Sequence, residues 1–79
     1  METLKEAFLR KFNKNRKILE YFEEANGCEC TWENITKVRL QIYVDYLRTK
    51  LSPNGVKAYR SRLKTVLNLY SDEHPMPQG

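Results

Sequence analysis

Lys57, Arg60 and Lys64 follow one another at steps of three and four residues, the spacing that puts side chains on one face of a helix. A row of this kind binds anions, and nothing around it competes. Between Leu51 and Tyr70 there are four bases, Arg62 being the fourth, and no Asp or Glu. The stretch opens Leu51-Ser52-Pro53-Asn54, with Ser52 placed as N-cap and Pro53 at the first helical position, where a missing N–H is no loss. A helix start favours acids because the backbone dipoles leave it positive, yet this one is neutral. Its free N–H groups, the Ser52 hydroxyl and the Asn54 amide are the parts of a phosphate site. Ser-Pro alone is a cap, and a basic row alone is often a solvated face. Joined to the absence of acids, they point to a polyanion. Lys37 and Arg39 add to this. They stand in the first turn of another helix, where cations oppose the dipole, so local helix stability does not account for them.

Other chemistries find less support. Hydrolysis or group transfer needs a nucleophile, a base and a group that orients the base, all convergent. The chain has one histidine, His74, beside Pro75 in a linker-like tail. The five tyrosines, Tyr21, Tyr43, Tyr46, Tyr59 and Tyr70, fall mostly on or beside apolar stripes and read as packing. Cys28 and Cys30 form a C-x-C pair without a second pair or a nearby histidine, short of the four ligands of a closed zinc site. The ring they would close is too short for an ordinary disulfide. The expectation is a non-catalytic chain with no metal and no cofactor. No stretch approaches the ~20 apolar residues of a membrane span. The first twelve residues are amphipathic and mixed in charge, unlike a signal peptide. A cytoplasmic protein with reduced thiols and no membrane partner follows.

The elements that must position these groups read as helices. Leu4, Phe8, Phe12, Leu19 and Phe22 hold a helical phase from about Thr3 to Ala25, widened by Ala7, Ile18 and Ala25. Thr3 is placed to cap this segment, and Asn26-Gly27 to stop it. Asn13 or Asn15 could cap a second helix, but the apolar phase carries through both, which predicts one continuous helix. Trp32 and Ile35 anchor the short connection that follows. Thr36 caps a helix over Lys37–Lys50 with Leu40, Tyr43, Val44, Leu47 and Leu51 on its buried side. In the last helix Val56, Tyr59, Leu63, Val66, Leu67 and Tyr70 recur at three- and four-residue steps. Residues 72–79 read as linker, and nothing reads as a strand.

At 79 residues the chain is one small domain, residues 1–71, burying only about 60% of its unfolded surface. Its formal charge is +4, and placement matters more than the sum. Eight bases stand against one acid, Asp45, between Lys37 and Lys64, and "RKFNKNRK" puts five bases at residues 10–17. Glu20, Glu23, Glu24, Glu29, Glu33, Asp72 and Glu73 collect elsewhere. Such segregation makes a directional field suited to a polyanion.

The order of residues over roughly 15 to 75 resembles the SAM-like core-binding domain of tyrosine recombinases, the phage-type integrases. The residues that carry the likeness are Trp32, Ile35 and Thr36 as W-x-x-I-T, Tyr46-Leu47 at a helix end and the turn L-S-P-N from Leu51 to Asn54. Tyr59, Leu63 and Lys64 as Y-x-x-x-L-K follow, then Asn68. The resemblance implies an all-α orthogonal bundle of three to four helices. Such a domain forms half of a clamp on double-stranded DNA at a recombination site and is itself non-catalytic. It implies that Ser52, Asn54, Lys57, Arg60 and Lys64 approach the DNA backbone and major groove, with Lys37 and Arg39 on phosphates nearby. Further partners would be the catalytic domain of the same parent chain, absent here, and other recombinase protomers on DNA. Two departures stand out. Family members commonly have Thr where this chain has Gly55, and the family's first helix has no separate counterpart in a continuous first segment. The alternative readings are a helical protein-interaction module, with Tyr43, Tyr46 and the phenylalanines of the first segment as contact surface, and an RNA-binding adaptor. The latter lacks an obvious aromatic platform for stacking bases.

Overall fold

Three of the four helices start where a side chain takes over the unbonded N–H groups of a first turn. In the computed structural model, which describes residues 2–74, these helices are α1 (Leu4–Lys11), α2 (Arg16–Asn26), α3 (Lys37–Lys50) and α4 (Pro53–Leu69). Thr3 and Glu6 form a reciprocal capping box on α1, with N···O distances of 3.1 and 2.9 Å. Thr36 Oγ1 accepts from Arg39 N–H at 3.2 Å to cap α3, and Ser52 Oγ accepts from Gly55 N–H at 3.4 Å to cap α4. Gly27 ends α2 in the left-handed region at φ 64°, its N–H bonded to the Glu23 carbonyl at 2.8 Å. No strand occurs among the described residues, so the chain is a small all-α bundle. Nor is any helix there long and apolar enough to cross a membrane.

One expectation fails: the first segment is two helices. An unbroken helix over those residues would run about 35 Å at 1.5 Å per residue. The whole molecule is 33 Å in its longest dimension. Leu4 and Phe8 could not then share a core with Ile18, Leu19 and Phe22. The chain turns at Phe12, whose ring folds back to 5.4 Å from Phe8, and Asn15 N–H bonds to the Phe12 carbonyl at 3.0 Å. Asn13 and Asn15 have short polar side chains that favour such turns over helix interior. Asn15 stands at the N-cap of α2 but makes no capping bond, because its Oδ1 accepts from Arg62 Nη1 at 3.1 Å instead.

The core lies where α2 packs on α3, and where α4 packs on both α3 and α1. Its fully buried side chains include Leu4, Phe8, Ile18, Phe22, Tyr43, Leu47, Leu63 and Val66. Tyr43 donates its hydroxyl to the Ile18 carbonyl at 3.0 Å and tilts its ring against Phe22, 5.6 Å away. Burial pushes its phenol pKa up, so it stays a neutral donor. The connection before α3 is held as expected. Ile35 is buried, and Trp32 donates Nε1–H to the Glu2 carbonyl at 3.0 Å and packs on Tyr70. Beyond α4 the chain runs in turns to His74, whose ring stacks on Trp32 at 4.1 Å. Of the expected linker, His74 therefore packs on the bundle while Asp72 and Glu73 are exposed, and the remainder, 75–79, lies outside the described residues.

Two predictions test this arrangement. Leu47 is fully buried, so Leu47→Ala should cost about 2–5 kcal/mol in urea unfolding, from lost transfer energy plus the cavity. Glu23 carries the second. Burial works against its charge, but Lys5 Nζ at 2.7 Å and Cys30 N–H at 2.9 Å outweigh that and hold its pKa below the ordinary carboxylate value. A group lowered in the folded state stabilises above its unfolded pKa, and that contribution is lost as pH falls through the folded value. Glu23→Gln should therefore be less stable than the parent at pH 7, with the difference shrinking on acidification. Thermal melts from pH 7 to pH 2 would measure it.

Candidate nucleic-acid interface

The apolar residues of α4 decide which of its sides can meet a partner. Val56, Leu63, Val66 and Leu67 are buried, with Tyr59 and Tyr70 half-buried beside them. Lys57, Arg60 and Lys64 are all exposed on one flank of that stripe. Ser52 and Asn54 are exposed at the N-terminal end. The structure thus brings five of the expected residues together on one helix. Ser52 is occupied as a cap, although its 3.4 Å bond is long for a hydroxyl accepting from N–H. Gly55 has a packing reason. A Cβ there would stand 3.2 Å from Leu51 Cβ, so a side chain, hydroxyl-bearing or not, fits only if Leu51 gives way.

Lys37 and Arg39 are not brought together. Residues two apart on a helix do not face each other. Arg39 is half-buried on the side of α3 that meets α2, where its carbonyl accepts from Asn26 Nδ2 at 3.2 Å. Lys37 is exposed and points around the other side. A single phosphate contact shared by the two is therefore not available.

Four acids elsewhere pair with other bases. Glu23 and Glu29 take Lys5, Glu2 takes Arg10, and Asp45 takes Arg48 at 3.5 Å. Among the described residues, no ion pair involves Lys37, Arg39, Lys57, Arg60 or Lys64. The positive charge of α4 is directed outward.

A further set of bases escaped the sequence reading as site residues. Arg62 sits two residues from both Arg60 and Lys64, hence on the opposite flank of α4, and reaches Asn15 at the α1–α2 corner. Lys14, Arg16 and Lys17 are exposed at that corner and, with Arg62, enter no ion pair among the described residues. The signal in the sequence was the basic run at residues 10–17. Only the bend between α1 and α2 shows that it meets α4.

Other chemistry stays thin. Among the described residues no group of three or more His, Cys, Asp and Glu gathers as a metal site would require. Cys28 and Cys30 are free thiols, and burial pushes the Cys30 thiol up to about 12. The surface expected of an interaction module is partly internal: Tyr43, Phe8 and Phe22 are buried. Tyr46 is half-buried, and its hydroxyl donates to Glu24 at 3.0 Å. Tyr21 lies 6.0 Å from Tyr46 and 5.9 Å from Tyr59, so the half-buried tyrosines form a seam between α2, α3 and α4. With Glu24 at its edge, that seam is a poor platform for RNA bases.

No protein-family model matches the chain, and no curated protein or solved structure does either.

The cap yields a separate prediction. Ser52→Ala should cost about 1 kcal/mol by removing the acceptor for the first turn of α4. For a domain of this size that is a fall of about 4–8 °C in Tm by circular dichroism. A change within error would mean that the long bond contributes nothing.

Proposed function

We propose that this chain is a non-catalytic, duplex DNA-binding module, with α4 as its principal contact. The observation that carries the reading is an acid-free helix whose Lys57, Arg60 and Lys64 are exposed and enter no ion pair among the described residues, while four acids pair with other bases. Helix N-terminal N–H groups and long basic side chains supply phosphate contacts. The exposed surface of α4 is open to a groove. In finer detail, the module is the core-binding half of a phage integrase-like tyrosine recombinase. The sequence resemblance supports that placement, and the all-α bundle agrees with it. Such a module clamps a recombination site together with a catalytic domain of the same parent chain and assembles with other protomers on DNA. Alone it binds mainly through phosphates, with modest sequence preference.

A second reading has one observation in its favour. Val38 and Ile42 lie one turn apart on the outer side of α3 and are 69% and 42% exposed, a start for a helical protein-interaction surface. Two side chains are a small fraction of the ~800 Å² per partner that a stable interface buries. DNA binding is therefore the better supported function.

Fluorescence anisotropy on an arbitrary duplex of about 25 base pairs, titrated at several salt concentrations, tests the proposal. Each phosphate contact contributes about −0.9 to the slope of log K against log salt, so a slope of about −4 or steeper is expected. Lys57→Glu with Arg60→Glu should abolish binding and leave helicity unchanged, since both side chains are exposed. Equal affinity of that double variant and the parent would remove α4 from the interface. Self-association insensitive to salt, with no duplex binding, would favour the α3 surface.

A further inference from the structure

The two flanks of α4 differ in what they carry but not in sign. Lys57, Arg60 and Lys64 line one, while Arg62 on the other is continuous with Lys14, Arg16 and Lys17 at the α1–α2 corner through its 3.1 Å bond to Asn15. Between the flanks runs the ridge farthest from the core, with Ser61, Thr65 and Asn68 at steps of four and three, all exposed. A helix with its side chains is about 10–12 Å across, and the major groove of B-DNA is about 12 Å wide. Bases on both flanks of a helix, with short neutral polar residues between them, match a groove with a phosphate strand on each wall and base edges at its floor.

We propose that α4 enters the major groove along this ridge, with Lys57, Arg60 and Lys64 on one strand and Arg62, Lys14, Arg16 and Lys17 on the other. Ser61, Thr65 and Asn68 then face base edges and set what sequence preference the module has. Phosphate contacts position and base contacts specify, so the two sets of residues have separable effects. The chemistry of the ridge selects a base composition. Thr65 turns its hydroxyl back to the Ser61 carbonyl at 2.9 Å, which leaves its methyl to meet a thymine methyl. The Asn68 amide has no partner among the described residues, and an amide of this kind pairs with adenine N6 and N7. The preference is for A·T pairs toward the C-terminal half of α4. The Ser61 hydroxyl donates or accepts and discriminates little.

This inference rests on duplex binding through α4, and the experiment separates the two. Salt slopes on duplexes of about 25 base pairs are measured for the parent, for Lys14→Gln/Arg16→Gln/Arg62→Gln, and for Lys14→Gln/Lys17→Gln, which leaves the Arg62–Asn15 bond intact. Loss of two or three phosphate contacts should flatten the slope by about 2–3 for the triple variant and about 2 for the double, alike on all sequences. Sites are then selected from a randomised duplex pool by the parent and by Thr65→Ala/Asn68→Ala. The parent should enrich A·T pairs at two or more positions. The ridge variant should lose that enrichment and keep the parent's slope. If the parent does not bind duplex at low salt, the DNA-binding function itself fails. If it binds but both corner variants keep its slope, the second strand contact is overturned while the function stands. A ridge variant with the parent's site preference overturns the base-reading role.

Discussion

Tyr43 is the largest fully buried side chain among the described residues, and it brings a hydroxyl into a core where none of them is a buried charged or polar residue. An unbonded hydroxyl there would cost about 1–3 kcal/mol. The Ile18 carbonyl is the acceptor that removes this cost, and it sits on α2, so the bond sets the level at which α3 lies along α2. Everything after depends on that level. Leu47, one turn on, fills the same core, and the chain leaves α3 at Leu51 and turns at once into α4. Which way the charged flanks of α4 face then follows from its buried stripe packing on α3 and α1.

Charge is arranged with the same economy. Among the described residues, every ion pair but Arg48–Asp45 involves α1: Lys5 to α2 and the connection, and Arg10 to Glu2 just before the helix. Exposed pairs of this kind contribute little to stability, with a median of about 0–1 kcal/mol. Their larger effect is on the field the molecule presents, since a base beside each carboxylate cancels most of its field at longer range.

Helix starts were legible in the sequence because they are written in single residues. Thr3, Thr36 and Ser52 all cap as their types and positions predict, and Gly27 stops α2 with the backbone that favours glycine. The apolar periodicity of α3 and α4 was legible for the same local reason. The break at Phe12–Asn15 was not, because the apolar phase passes through it unchanged. What decides the break, beyond the turn-favouring asparagines, is the size of the core, which is set by residues far away in sequence. The candidate site was readable along α4, where one helix settles the geometry. The place of Arg62 at the α1–α2 corner was not readable, because it depends on how helices meet. The recombinase resemblance remains part of the proposal on function, resting on the residues from Trp32 to Asn68.

The end of the molecule away from Ser52 has its own optical signature. The chain has one tryptophan and one histidine, and they stack on each other. Trp32 also touches Tyr70 and bonds to Glu2, so N-terminal arm, connection and tail meet at one indole. Indole emission responds to what covers the ring, so intrinsic fluorescence reads the contact of His74 with Trp32. The 17 residues of α4 put its N-terminal end about 25 Å away, so the same signal is nearly blind to what its first turn binds. One indole thus reports on the C-terminal end of α4 alone.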